Sequence, residues 1–242
     1  MVRKILNQSM NNRIGKVNEL AWALGNILIA LSVCFSAKSG FGVSMVVAPA
    51  YVLYLKVSQT LSWFTFGMAE YCFHMLLLLL LSIVMRKFKW KYLLTVITVV
   101  FYSVWLDIWQ MMFGKEVYSL YWQRVCSGVV GLLIGSFAIA LMLRTYLPQE
   151  AYEMVVKELA EKYHKNMNGV KWIYDVTSLG IAILMMLVTF HTFSFRIIGV
   201  YTIAAAAINA PLIAFAGRML EKKFDFSPCF FKLYETYNQK VN

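Results

Sequence analysis

Six stretches of this sequence are apolar for about twenty residues each, at 18–36, 63–85, 92–113, 121–143, 170–190 and 197–217. A helix of that length, rising about 1.5 Å per residue, covers the ~30 Å hydrocarbon core of a bilayer. Charged residues make up only 14% of the chain, too few to cover a water-soluble surface. Disorder is excluded as well, because 17 Phe, 14 Tyr and 7 Trp supply far more burial than a disordered segment tolerates. The reading is an all-α polytopic membrane protein whose first partner is the lipid bilayer. The net charge of +11 has no separate basic domain to occupy, so no nucleic-acid partner is expected.

Two further segments are apolar or amphipathic but too short or too polar to cross. Val43–Leu55 falls short of a span, and Ser44 is placed to cap it. In 149–165, Tyr152, Val155, Val156, Leu159 and Tyr163 share one helical face. Glu153, Lys157, Glu158, Glu161 and Lys165 face away, and Pro148 suits the first turn. This reads as a helix lying along the inner surface of the membrane.

Basic residues set the orientation. With the amino terminus inside, 18 of the 23 Lys and Arg fall in cytoplasmic segments, leaving Lys38, Lys56, Lys115, Arg124 and Arg196 outside. The expected plan is a cytoplasmic segment 1–17, a first membrane repeat 18–113, a second 114–220 and a cytoplasmic tail 221–242, with both termini inside. The basic start followed by an apolar run is signal-like, but the run is long enough to be kept as the first helix. Cys34, Cys72, Cys126 and Cys229 show no paired spacing, which argues against a disulfide scaffold.

The two halves are related at an offset of 105 residues. Ala23, Asn26 and Ala30 meet Gly128, Gly131 and Gly135, while Glu70 meets Asp175. Three crossings lie within the offset, so the second copy is turned over. The expectation is two inverted three-helix repeats, each with a short re-entrant or interfacial helix and with a site near their axis. Small residues that merely allow close helix packing are the competing explanation.

No phosphate loop, nucleophile elbow or paired-Cys zinc spacing is present, so neither an enzyme nor a cofactor or metal is expected. The informative residues are acids inside spans, each costing ~2.5–3.5 kcal/mol at a helix centre unless partnered. Glu70 and His74 stand four apart on one face, as a proton relay or as a mutually satisfied pair. Asp107 lies near Trp105 and Trp109, which suits an organic cation or equally an aromatic belt. Asp175 follows Lys171 by four residues, as an ion pair or as the counterpart of Glu70. Asn209 stands on a small-residue span interrupted by Pro211. The expected ligand site is Glu70, His74, Trp105, Asp107, Asn209 and Asp175.

The loop Gly40-Phe-Gly-Val-Ser44, the Leu147-Pro-Gln-Glu150 lead into an amphipathic helix and the run Asn168-Gly-Val-Lys-Trp-Ile-Tyr-Asp175 resemble the bacterial YczE/YyaS/YitT group over residues 18–220. The resemblance implies a multi-span protein of the bacterial plasma membrane and assigns no activity. The last span departs from that group, with Gly199-Val-Tyr-Thr202 where a Gly-Thr start is common. The expected function is a small-solute transporter or permease for a cationic or zwitterionic ligand. The alternative is a ligand-binding subunit or accessory partner of a larger complex, meeting it through Ala23, Asn26 and Ala30. A homo-oligomer is compatible with either.

Overall fold

The computed structural model describes residues 14–228. Arg3, Lys4, Arg13, Cys229, Lys232 and Lys240, which entered the charge and cysteine arguments, lie outside the described residues.

Among those described, eight helices form. Six are long and apolar enough to cross a membrane: α1 (Asn18–Ser39), α3 (Phe66–Met85), α4 (Trp90–Phe113), α5 (Tyr121–Met142), α7 (Met167–Phe190) and α8 (Val200–Lys223). Two are short, α2 (Ala48–Val57) and α6 (Ala151–Tyr163). The chain is a multi-pass membrane protein, and the apolar outer faces of its long helices contact the bilayer. Two strand fragments, β1 (Ile14–Lys16) and β2 (Phe224–Asp225), pair in parallel and hold the start of α1 and the end of α8 at one end of the bundle.

Boundaries differ from the hydropathy reading where side chains cap a helix. The second span begins at Phe66, because the Thr65 hydroxyl accepts the Met68 N–H. The fifth begins at Met167, because the Asn166 side chain accepts the Asn168 N–H. The last runs to Lys223 and continues through Pro211, which leaves the Ala207 carbonyl without its helical N–H.

The centre of the bundle is the α1–α5 pair. The Ser32 hydroxyl donates to the Gly131 carbonyl at 2.7 Å, and the Ser127 hydroxyl donates to Phe35 at 2.7 Å. A Cβ at Gly131 would lie 3.2 Å from the Ser32 carbonyl oxygen and 3.3 Å from the Ser36 nitrogen, so the backbones approach as closely as glycine allows. Asn26 and Ala30 are buried in this core. They are therefore covered by the chain's own helices rather than presented to a partner. On its other side α1 meets α4, where Trp22, Phe101, Trp105, Trp109 and Phe113 form a run of ring contacts and Trp109 donates to the Ile27 carbonyl.

The backbone leaves helical form inside the bundle ahead of α2 and ahead of α6, and in both places its polar groups are paired. At the first, Gly40 (φ 64°) and Gly42 (φ 102°) take conformations that disfavour a side chain. The Val43 N–H donates to Ile197, the Phe41 carbonyl accepts from Tyr201 N–H, and the Val43 carbonyl accepts from the Thr202 hydroxyl at 2.7 Å. Arg124 donates to the Ser39 and Gly40 carbonyls, closing the end of α1. Ser44 does not cap α2 with its side chain; its carbonyl accepts from Val47 and Ala48. At the second, Pro148 lies before the helix rather than in its first turn. Its carbonyl accepts from Trp22 Nε1–H and from the Thr98 hydroxyl, both at 3.0 Å.

The short helices follow from these turns. Packed against α3 and α7, α2 is almost wholly buried. Helix α6 packs against α3, α4 and α7, and two of the five residues of its expected solvated face, Glu153 and Glu158, are buried instead. Glu158 is fully buried beside Lys89 (2.6 Å), Lys91 and the Tyr92 hydroxyl, and Glu153 pairs with Lys171. Burial pushes the Glu158 carboxyl up, but the hydrogen bonds and charges of Lys89 and Lys91 outweigh it and hold the group below the usual carboxylate range.

Replacing Gly131 by Val should destabilise the protein by about 1–3 kcal/mol through overpacking. Gly180→Ala, with nothing within 4 Å of the new methyl, should leave stability level or raise it. Thermal unfolding of the two variants in detergent checks this; equal melting temperatures would remove the α1–α5 contact from its central place.

Candidate functional site

A cavity of about 470 Å³ opens between α1, α5, α7, α8 and the turn ahead of α2. Its α7 wall is one helical face, Asn168, Lys171, Trp172, Asp175 and Val176. The α8 wall is small and mostly apolar, with Tyr201 towards one end, Ile213 towards the other and Asn209 between them. Tyr102 of α4 and Glu150 and Tyr152 beside α6 complete the side facing α3.

The acids give the cavity its character. Glu150, the residue before α6, is only 5% exposed, and its Oε1 has no hydrogen-bond partner among the described residues. Burial raises its carboxyl to about 8, with the neighbouring Glu153 charge adding to the shift and Lys171 opposing it. Asp175 presents a second unpartnered oxygen, Oδ1. Lys171 makes no close ion pair with Asp175, although the i,i+4 spacing suggested one. It pairs with Glu153 across the α6–α7 contact and lies 5.4 Å from the centre of the Tyr152 ring. With Glu153 matched, Glu150 and Asp175 are left as acids available to a positive group, beside the rings of Tyr102, Tyr152 and Trp172.

The structure distributes the six residues expected from sequence over three places. Asp175 and Asn209 line the cavity, Asn209 accepting from the Ser136 hydroxyl at 2.6 Å. Glu70 and His74 form a buried pair just behind it. His74 Nδ1 lies 2.9 Å from the Glu70 carbonyl and 3.5 Å from its carboxylate, and the His74 ring meets Tyr102 edge-on at 5.9 Å. Tyr102 therefore stands between that pair and the cavity. Asp107 and Trp105 are elsewhere. The Asp107 carboxylate accepts from the Thr65 hydroxyl (2.7 Å) and the Gly67 N–H (2.8 Å) at the start of α3, whose orphan amides draw an anion. Trp105 belongs to the aromatic run along α1.

Glu150 and Tyr152 were not expected at a ligand site from sequence, while Tyr102 entered only as part of an aromatic stripe with Trp105 and Trp109 and Lys171 only as a partner for Asp175. Glu150 reads as the lead into a surface helix, and only burial of α6 turns it inward. A usable signal was the closeness of Glu150 and Glu153 to a proline turn, since an acid pair there needs a partner if the helix is buried. Among the described residues no three His, Cys, Asp or Glu side chains gather as a metal centre requires.

Residues 17–218 match a family of unknown function, DUF6198. That match gives no link to the YczE/YyaS/YitT group. No curated protein and no solved structure matches the chain.

Asp107→Asn should lower stability by about 0.5–2 kcal/mol, as the loss of a helix-capping acceptor does, without touching the cavity. Melting temperature together with ligand titration decides it. A variant of parental stability that no longer binds would move Asp107 from helix cap to ligand site.

Proposed function

We propose, for a chain that belongs to DUF6198, a family of unknown function, that it is a small-solute carrier whose cavity binds a cationic or zwitterionic ligand between two inverted repeats. The observation that carries the reading is the unpartnered Oε1 of Glu150, a residue 5% exposed and lining a cavity of about 470 Å³ that also holds Asp175 and the rings of Tyr102, Tyr152, Trp172 and Tyr201. An ammonium group fits both acids by charge and the rings by cation–π attraction.

Packing supports the repeats. Exchanging α1, α2, α3 and α4 for α5, α6, α7 and α8 carries the α1–α4 contact onto α5–α8, α2–α3 onto α6–α7 and α2–α7 onto α6–α3, all of which occur, whereas the α3–α4 and α4–α6 contacts have no counterpart in α7–α8 and α8–α2. Val43 and Pro148 are 105 apart, and each gives its carbonyl to a threonine of the last helix of the other half, Thr202 and Thr98. Cavities at such an axis suit alternating access.

Proton coupling follows from Glu150. A cation binds the carboxylate, whereas the empty site holds its proton up to about pH 8, so binding releases a proton below that value. Affinity for choline or tetramethylammonium should thus rise by up to about tenfold per pH unit between pH 6 and 8, then level off. Glu150→Gln should weaken binding at least tenfold and flatten this slope, as read by calorimetry on detergent-purified protein. Binding that is independent of pH and of Glu150 would sink the reading.

We also place both termini in the cytoplasm of a bacterial plasma membrane, on the strength of the basic-residue distribution. Impermeant maleimide applied from outside should label a Cys introduced at Lys115 and spare one at Lys87. The reverse pattern would invert the protein.

A further inference from the structure

Helices α7 and α8 follow each other in sequence and face each other across the cavity, yet they do not pack along one another as α3 and α4 do. Several residues that line the cavity on these two helices are exposed, Trp172 at 68%, Val176 at 44%, and Ala206 and Ala210, while Tyr201 and Ala205 are buried. Both helices are membrane spans, so the gap between them meets hydrocarbon. A water-soluble solute gains nothing from such an opening, and an apolar lipid tail gains nothing from unpartnered acids at its inner end. The two features together match one kind of molecule.

Resting on the carrier reading above, we propose that the ligand is an amphiphile with an ammonium head and an apolar tail, entering laterally from the bilayer between α7 and α8. The head reaches Glu150 and Asp175, and the tail lies along Trp172, Ala206 and Ala210. Ala210 lines the cavity and is exposed, so a large side chain there fills the tail path. An amine-headed membrane lipid and a free lipophilic amine share this chemistry.

The test uses the full chain in phosphatidylglycerol nanodiscs, titrated with tetramethylammonium and with dodecyltrimethylammonium, the latter corrected for its partition into lipid. The long-chain probe should bind at least tenfold more tightly after correction, and Ala210→Trp should cut the long-to-short affinity ratio at least tenfold. Adding phosphatidylethanolamine to the discs then separates the sources. Competition assigns the gap to a membrane lipid, and its absence to a free amine. If neither probe binds, the carrier reading and this proposal fall together. If tetramethylammonium binds but chain length adds nothing, or Ala210→Trp leaves the ratio unchanged, lateral access alone is wrong.

Discussion

In hydrocarbon no water is at hand to pair a backbone N–H or C=O, and each one left alone costs several kcal/mol. The architecture of this protein is organised around the two places where its chain meets that constraint without the shelter of a helix. Ahead of α2, Ile197, Tyr201 and Thr202 complete the exposed groups of Phe41 and Val43, and Arg124 closes the end of α1. Ahead of α6, Trp22 and Thr98 complete Pro148. Because those partners come from helices distant in sequence, satisfying two turns also fixes how α1, α4 and α8 stand. The short helices are then held against the long ones, and the space beside them becomes the cavity.

Close approach of α1 and α5 is the second requirement. Lipid tails offer no hydrophobic drive for helices to associate, so contact must come from packing and short polar bonds. Gly131 and Gly135 let the Ser32 side chain lie against the α5 backbone and bond it at 2.7 Å. With this pair fixed, α4 packs on α1 and α8 on α5, and α7 is left touching α2 and α6 while standing apart from α8. The open side of the molecule is thus a by-product of where its tightest contact lies.

Charges inside the bundle divide by the same logic. Those with a structural task are saturated: Asp107 by the start of α3, Glu158 by Lys89 and Lys91, Glu153 by Lys171, and Lys38 by the carbonyls of Gly114 and Glu116. Glu70, Glu150 and Asp175 keep oxygens with no hydrogen-bond partner among the described residues, and the last two line the cavity. An unsatisfied buried acid is unfavourable in the empty protein and becomes favourable when a cation arrives, which is the free-energy difference a binding site requires.

The sequence by itself determined the membrane class, the six spans, the two short segments between them and the presence of acids within the membrane. Each of these rests on local properties, the length of an apolar run or the price of a charge in hydrocarbon. Sequence also singled out Asp175 and Asn209, since polar groups in a span must face protein or a cavity. What it could not supply was the partner of each polar group. Asp107 looked like a ligand residue until the amides of α3 were seen to occupy it, and Lys171 looked like the partner of Asp175 until α6 brought Glu153 closer. Glu153 and Glu158 read as surface residues because amphipathicity marks a polar face without saying whether that face meets water or lysines of other helices. Only the tertiary structure decides which acids are already neutralised, because pairing depends on distances between helices that no local pattern encodes.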